Sequence, residues 1–313
     1  MTHHYIWSFA QDGGRIAWVS RANGHCGLHF KALSSGRTAT TRLTGADCTQ
    51  YSNAYGLVLA TRSAAWDEAY RCGNTECSWK VATATAGDRR AQIVYTSGEI
   101  GMSCGCGEPV GNSYLVGAGR LLAYSDAQGD VEGIHGGRLF STTGIVHGLA
   151  AGDGLIAAVS LVQSDSSSAW ANTVSVYTVT GQPMSTLPGP PALPGYLTAA
   201  TSAAVGGQVV AVSGALAGGS NEITLFDAQT GQQLAGIQVS ASNGYIYLIG
   251  GDRNWILFVR GKTIFGLNIL THQVVHFATP AADTIYSSVS GRRVAWVENI
   301  HGHHRIRAFD LPS

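Results

Sequence analysis

GGRIAWVSRANGHCGLHFKALSSGRTATTRLT, residues 13–44, is the stretch whose reading decides the fold. Two glycines open a tight turn, IAWV (16–19) follows as a short apolar run, and SSGR places Gly36 where a left-handed backbone costs least. Four short strands in an up-and-down meander follow from this punctuation, at about residues 5–10, 15–20, 27–33 and 39–43. Related runs recur at 57–60 (LVLA), 121–124 (LLAY), 156–159 (IAAV), 209–212, 256–259 and 294–297. Their third residues, Trp18, Leu59, Ala123, Ala158, Ala211, Phe258 and Trp296, are spaced 41, 64, 35, 53, 47 and 38 residues apart. A period of ~40 to 50 residues built of short strands is that of propeller blades. No 3.6-residue amphipathic period supports a helical repeat instead.

Two further features keep this phase. Upstream of the runs, Ile6-Trp7, Ile246-Tyr247 and Ile285-Tyr286 repeat an apolar–aromatic pair, with Tyr51, Tyr114 and His147 at comparable places. These belong on the innermost strands, where Trp7, Tyr247 and Tyr286 are expected to pack blade against blade. Downstream, Gly87, Gly181 and Gly231 repeat the Gly36 turn, and His272 takes that place in copy six. The expectation is an all-β, seven-bladed propeller of four-stranded antiparallel blades forming one domain over 1–313. Its blades fall near 1–45, 46–97, 110–143, 144–188, 195–240, 244–279 and 283–313, with Cys-rich insertions at 62–77 and 97–112. Only three strands are visible in the last copy, and just Met1 to His4 precede the first, so the seventh blade is expected to be weakly closed or three-stranded.

Composition limits the function. Nineteen Lys+Arg balance nineteen Asp+Glu, which excludes a generic nucleic-acid or polybasic membrane binder. Apolar residues reach 45%, enough for a core, and the 41 glycines shorten every element. No run approaches the ~20 apolar residues of a spanning helix. The six cysteines all fall between Cys26 and Cys106, an even and clustered count that points to disulfides, an oxidising compartment and a secreted or cell-surface location, with no export signal in this sequence.

Residues 13–44 and SGRRVAWVENIHGHHRIRAFDL (290–311) resemble TolB-like and microbial cell-surface propeller repeats. The rhythm covers the whole chain, and the blade motifs are clear in the first and last copies. The resemblance implies an exported propeller that binds proteins or surface polymers, and it supplies no catalytic residues.

In such a meander the B–C and D–A connections share one rim, and A–B and C–D share the other. Read from the sequence, the A–B and C–D turns stay short, whereas B–C stretches over 62–76 in copy two and D–A over 97–112 and the proline-rich 187–195. Insertions on one rim mark the binding face of a repeat protein. Cys26 and Cys48 reach that rim within bridging distance of each other. Cys72 and Cys77 lie beside Cys104 and Cys106, either as two bridges across the loops, as Cys72–Cys77 with Cys104–Cys106, or as a four-thiolate zinc site.

Candidate binding residues on the same rim are Trp66, Asp67, Glu68 and Tyr70 in the long copy-two loop, with Trp170 in an equivalent loop of copy four. Flat rings beside carboxylates are the materials of a glycan or protein recognition patch, unless each ring folds back over its own loop. His301, His303 and His304, near His3 and His4 if the ring closes, are the one candidate for a divalent metal, against the reading of a solvated polar hairpin. No other cofactor is expected. His147 reads as a hydrogen-bonded interior residue. Acid–base hydrolysis would draw on Asp67, Glu68, Asp126, Asp130, Glu132 and Asp165, and no nucleophile elbow, HExxH or phosphate loop is found. The expected function is a secreted or surface binding and scaffolding module, with a protein or glycan partner, no nucleic acid and no membrane insertion. The alternatives are an extracellular hydrolase or lyase and a self-associating subunit of a surface assembly or filament.

Overall fold

The computed structural model describes residues 2–3, 5–22, 25–43, 48, 54–70, 76–101, 114–126, 129–163, 170–191, 202–215, 221–239, 246–281 and 284–312. They form a seven-bladed propeller, with strands A to D running outward from the central channel in each sheet. Blade 1 holds Ser8–Asp12, Arg15–Ala22, His25–Ala32 and Thr38–Arg42; blade 2 holds Ala54–Ala60, Ser63–Tyr70, Glu76–Thr85 and Gln92–Gly101. Blade 3 holds Tyr114–Ala118, Leu121–Ser125, Asp130–Gly133 and Gly137–Ser141; blade 4 holds Ile145–Gly152, Leu155–Gln163, Trp170–Thr178 and Pro183–Pro191. Blade 5 follows with Ser202–Gly206, Val209–Ala215, Asn221–Asp227 and Gln233–Val239, and blade 6 with Ile246–Gly251, Trp255–Arg260, Thr263–Asn268 and Val274–Ala278. Blade 7 has three full strands, Thr284–Ser290, Arg293–Ile300 and His303–Asp310, as expected. Its outer edge gains only the two-residue strip Thr2–His3, paired with Arg305 and His304.

The apolar core lies between blades. Strand residues alternate between sheet faces, so in strand B of blade 1 Ile16 and Trp18 join Ala295 and Val297 of blade 7. Ala17 and Val19 join Leu57, Ala64 and Trp66 of blade 2. The remaining five junctions carry their own clusters, each drawn from two adjacent blades.

One repeat departs from the sequence reading. The run at 57–60 is the end of innermost strand A in blade 2, and strand B is Ser63–Tyr70. The equivalent of Trp18 is therefore Trp66, not Leu59, and the outlying spacings 41 and 64 become 48 and 57. The misreading has a physical cause: SAAWDEAY carries two carboxylates that a half-buried strand rarely tolerates, while Glu68 here is buried against Lys80, 3.0 Å away. The predicted insertions shrink accordingly. Residues 71–75 alone join strands B and C of blade 2, Ser97 to Gly101 belong to strand D, and residues 187–191 pair with strand C of blade 4. The prolines there sit on an outer edge strand, where a missing N–H costs least.

A–B turns span two residues in six blades and three in blade 6, whereas D–A connections range from three residues (142–144) to twelve (102–113). C–D turns span three to six residues and B–C connections two to six, so the expected contrast between the rims rests on the D–A connections alone.

At the A–B end the innermost strands approach so closely that a side chain would collide. A Cβ at Gly206 would lie 2.5 Å from the Asp252 carbonyl oxygen of the next blade, and one at Gly117 would lie 2.9 Å from that of Leu59. Gly206→Ala should therefore cost about 1–3 kcal/mol of stability in chemical denaturation. Gly136→Ala, at a site with open space around it, should cost far less.

Candidate functional site

The predicted binding cluster on blade 2 is not a loop. Trp66, Asp67 and Glu68 are all buried in strand B. The Trp66 indole donates to Glu68 Oε1 at 2.9 Å, two residues along the same face, and Lys80 Nζ pairs with Oε2. The geometry recurs in blade 7, where Glu298 accepts from Arg307 Nε at 2.5 Å and the Ala281 amide at 3.2 Å, with the Trp296 indole 3.5 Å away. Burial alone would raise the Glu298 pKa, but these donors, Arg307 foremost, hold it below the ordinary carboxylate range. Both acids are structural. The side chains of Tyr70 and Trp170 lie outside the described residues, though their backbones close strand B of blade 2 and open strand C of blade 4 at the B–C end.

The histidines of the last blade take different positions along its final hairpin. His301 and Gly302 form the tight turn between the last two strands, both at positive φ, and no group of three metal-ligating side chains occurs among the described residues. His303 is exposed, while His304 is buried and accepts the Ile6 amide at Nδ1, 2.9 Å. Strand alternation sends the His303 and His304 side chains to opposite faces, while the strip bearing His3 pairs with His304 through the backbone. Cys26 and Cys48 are bonded as expected, with a Cα–Cα distance of 5.2 Å. Cys72, Cys104 and Cys106, and the side chain of Cys77, lie outside the described residues, as does Asp165.

The other acids are engaged within blade 3. Tyr124 donates to Glu132 at 2.8 Å, Arg138 pairs with Asp130 at 3.2 Å, and Asp126 accepts the Asp130 amide at 2.9 Å. Burial and the Glu132 carboxylate push the Tyr124 phenol upward, so it stays protonated. His147, on the innermost strand of blade 4, bonds Asn172 at 2.9 Å, in keeping with an interior role.

A site that sequence reasoning passed over lies at the B–C end of the channel. Tyr247 pairs with Val259 and Tyr286 with Val297 in blades 6 and 7, while in blade 1 Ser8 pairs with Val19 and Trp7, just before the strand, donates its amide to the Val19 carbonyl. Trp7 and Tyr286 are partly buried against core clusters as expected, but Tyr247 is 54% exposed, and Tyr5, tilted against Trp7 at 4.3 Å and His304 at 4.4 Å, is 47% exposed. The phased apolar–aromatic pairs were the available signal, but periodicity alone does not distinguish a ring packed between blades from one facing a channel mouth.

At the opposite, A–B end the channel widens into a cavity of about 770 Å³. Its polar lining comes mostly from the A–B turns: Asp12, Arg120, Asp153, Asp252, Arg253 and Arg292.

The sequence matches no protein-family model and no curated protein. Solved structures share the fold at low identity. The WD40 domain of Toxoplasma gondii coronin superposes with a TM-score of 0.58 at 10% identity, covering 97% of this chain and 81% of its own. Saccharomyces cerevisiae Sqt1 gives 0.55 at 10%, covering 98% and 84%. The complex of KlAtg21 with the coiled coil of AgAtg16 gives 0.57 at 10%, covering 97% and 98%. These likenesses establish a β-propeller and nothing finer; no TolB-like family is shown.

Two outcomes follow from the buried groups. Lys80→Met should destabilise the protein by about 3–5 kcal/mol, since it strands Glu68, while replacing both by Met and Leu should restore most of the loss in urea titrations. Burial holds the His304 imidazole below its ordinary value, partly offset by the Ile6 carbonyl, 3.1 Å from Nδ1, which accepts from the protonated ring. The unfolded chain therefore binds the proton first, and stability should be full above about pH 6.5 and fall as pH drops below it. In thermal melts His304→Asn should flatten that slope.

Proposed function

We propose that this chain is an exported binding and scaffolding module that seats a partner protein on the B–C/D–A rim. The observation that carries the reading is the aromatic arc of Tyr247, Tyr286, Trp7 and Tyr5 at the channel mouth on that rim. Exposed tyrosine and tryptophan offer large apolar area with a polar tip at little entropic cost, the composition of interface hot spots. The eleven-residue link 43–53 leaves blade 1 on the same rim, and Tyr70 of blade 2 and Trp170 of blade 4 reach that rim by their backbone positions. The Cys26–Cys48 bridge anchors the D–A connection of blade 1 at the same rim and supports residence in an oxidising compartment. The recorded complex of a similarly folded protein with a coiled coil is in keeping with a protein partner.

The test is affinity capture from the secreted fraction of the source cells, with a glycan array in parallel. Tyr5→Ala combined with Tyr247→Ala should weaken the captured complex at least about tenfold, and Trp170→Ala should add to it. Unchanged capture by the triple variant would remove this rim from the function. Glycan binding lost in the same variant would replace the protein partner with a carbohydrate.

A further inference from the structure

The A–B end of the channel carries chemistry that the rim reading does not use. In three of the seven turns the first amide is capped by the preceding blade: Ser290 Oγ accepts Gly13 N at 2.9 Å, Asp153 Oδ2 accepts Gly207 N at 2.7 Å, and Asp12 accepts Thr61 N. In the turns of blades 3, 4 and 7 the equivalent amides of Gly119, Asp153 and Gly291 have no partner among the described residues, whereas in the three-residue turn of blade 6 the first amide, that of Asp252, donates to the Trp255 carbonyl at 2.9 Å. Three of those four turns carry an arginine: Arg120 in blade 3, Arg253 in blade 6 and Arg292 in blade 7.

The cavity's three carboxylates and three guanidiniums balance formally, but no ion pair joins them among the described residues. Asp12 accepts Thr61 N and the Ser290 hydroxyl, Asp153 caps Gly207, and the buried Asp252 accepts the amides of Asn254 and Trp255, both at 2.9 Å. All three carboxylates are thus committed to the scaffold. Arg120 and Arg253 make no hydrogen bond or ion pair among the described residues, and Arg292 donates to the Leu311 carbonyl and, after Arg293, helps hold the Asp310 carboxyl below its ordinary range. The walls between them are Gly117, Gly119, Gly152, Gly154, Gly251 and Gly291, which let a ligand reach the backbone. No aromatic residue lines the cavity, so it lacks the stacking plate of a neutral-sugar site.

We infer that the A–B mouth binds a small molecule with two or more acidic groups, carboxylate or phosphate, held between Arg120 of blade 3 and the Arg253–Arg292 side of blades 6 and 7. Guanidinium forks and free backbone amides are matched to such oxyanions. The volume falls within the ~300–1,000 Å³ of small-ligand sites. A single acidic group engages one side alone, and binding should therefore be strongest for ligands that span the funnel.

Isothermal titration of the intact protein tests this with citrate, fructose 1,6-bisphosphate, acetate and glucose. Saturable binding is expected for citrate or the bisphosphate, which tells carboxylate from phosphate recognition, with affinity falling as salt is raised. Acetate and glucose should bind far more weakly. Arg120→Ala and Arg253→Ala should each weaken binding roughly tenfold or more. Both side chains are exposed, so unchanged melting temperatures should accompany the loss. No saturable binding of citrate or the bisphosphate at millimolar concentration overturns the inference, as does binding that the double variant leaves intact. Neither result bears on the Tyr5 and Tyr247 rim, whose variants should titrate these anions normally.

Discussion

No blade of this protein buries both of its faces alone, and every other feature of the structure depends on that constraint. Each of the seven apolar clusters is shared by two adjacent sheets. Six junctions are supported by continuous chain, but the seventh joins the two ends of the sequence. It is also densely stitched. Gln11 donates to the carbonyls of Ser288 and Arg293 at 2.7 and 2.8 Å, its amide reaches the Ser288 hydroxyl at 3.2 Å, and Ser290 takes the Gly13 amide. With only two residues to pair along the outer edge, closure leans on these bonds, on the His304–Ile6 contact, and on Ile6, Phe9, Ile16 and Trp18 packing against Ala295 and Val297. A side chain read from sequence as a metal ligand is thus part of the clasp.

The sequence made the blade number and strand order legible because both are written in local terms. Glycine turns and alternating apolar runs express a period without reference to the rest of the chain. The Cys26–Cys48 bridge was legible for the same reason, since antiparallel neighbours place both residues on one rim. Blade 2 was not. Its strand B holds Trp66, Asp67 and Glu68, and what makes carboxylates acceptable there is Lys80 on the neighbouring strand, a partner that no pattern of residues 63–70 reveals. Tyr247 failed in the opposite direction. It occupies a position shared with Tyr286 and was read, like Trp7, as packing, but exposure depends on what the facing blades place opposite it.

The two mouths of one channel differ for reasons of packing. Toward the A–B end the innermost strands come within reach of each other's carbonyls, and Gly117, Gly152, Gly206 and Gly251 occupy places where a Cβ would collide or press tightly. Side chains are thereby stripped from the wall, and polar character passes to the backbone and to turn residues projecting from the rim. At the B–C end the same strands begin at or next to Trp7, Tyr286 and Tyr247, where neighbouring backbones leave room for side chains between them. A single toroid thus presents an aromatic surface suited to a broad partner and a glycine-walled funnel suited to a small charged one. The two faces are tied to the core to different degrees: Trp7 and Tyr286 pack against the junction clusters of blades 1/2 and 7/1, whereas Tyr247 and the arginines of the A–B turns project from strand ends beyond them.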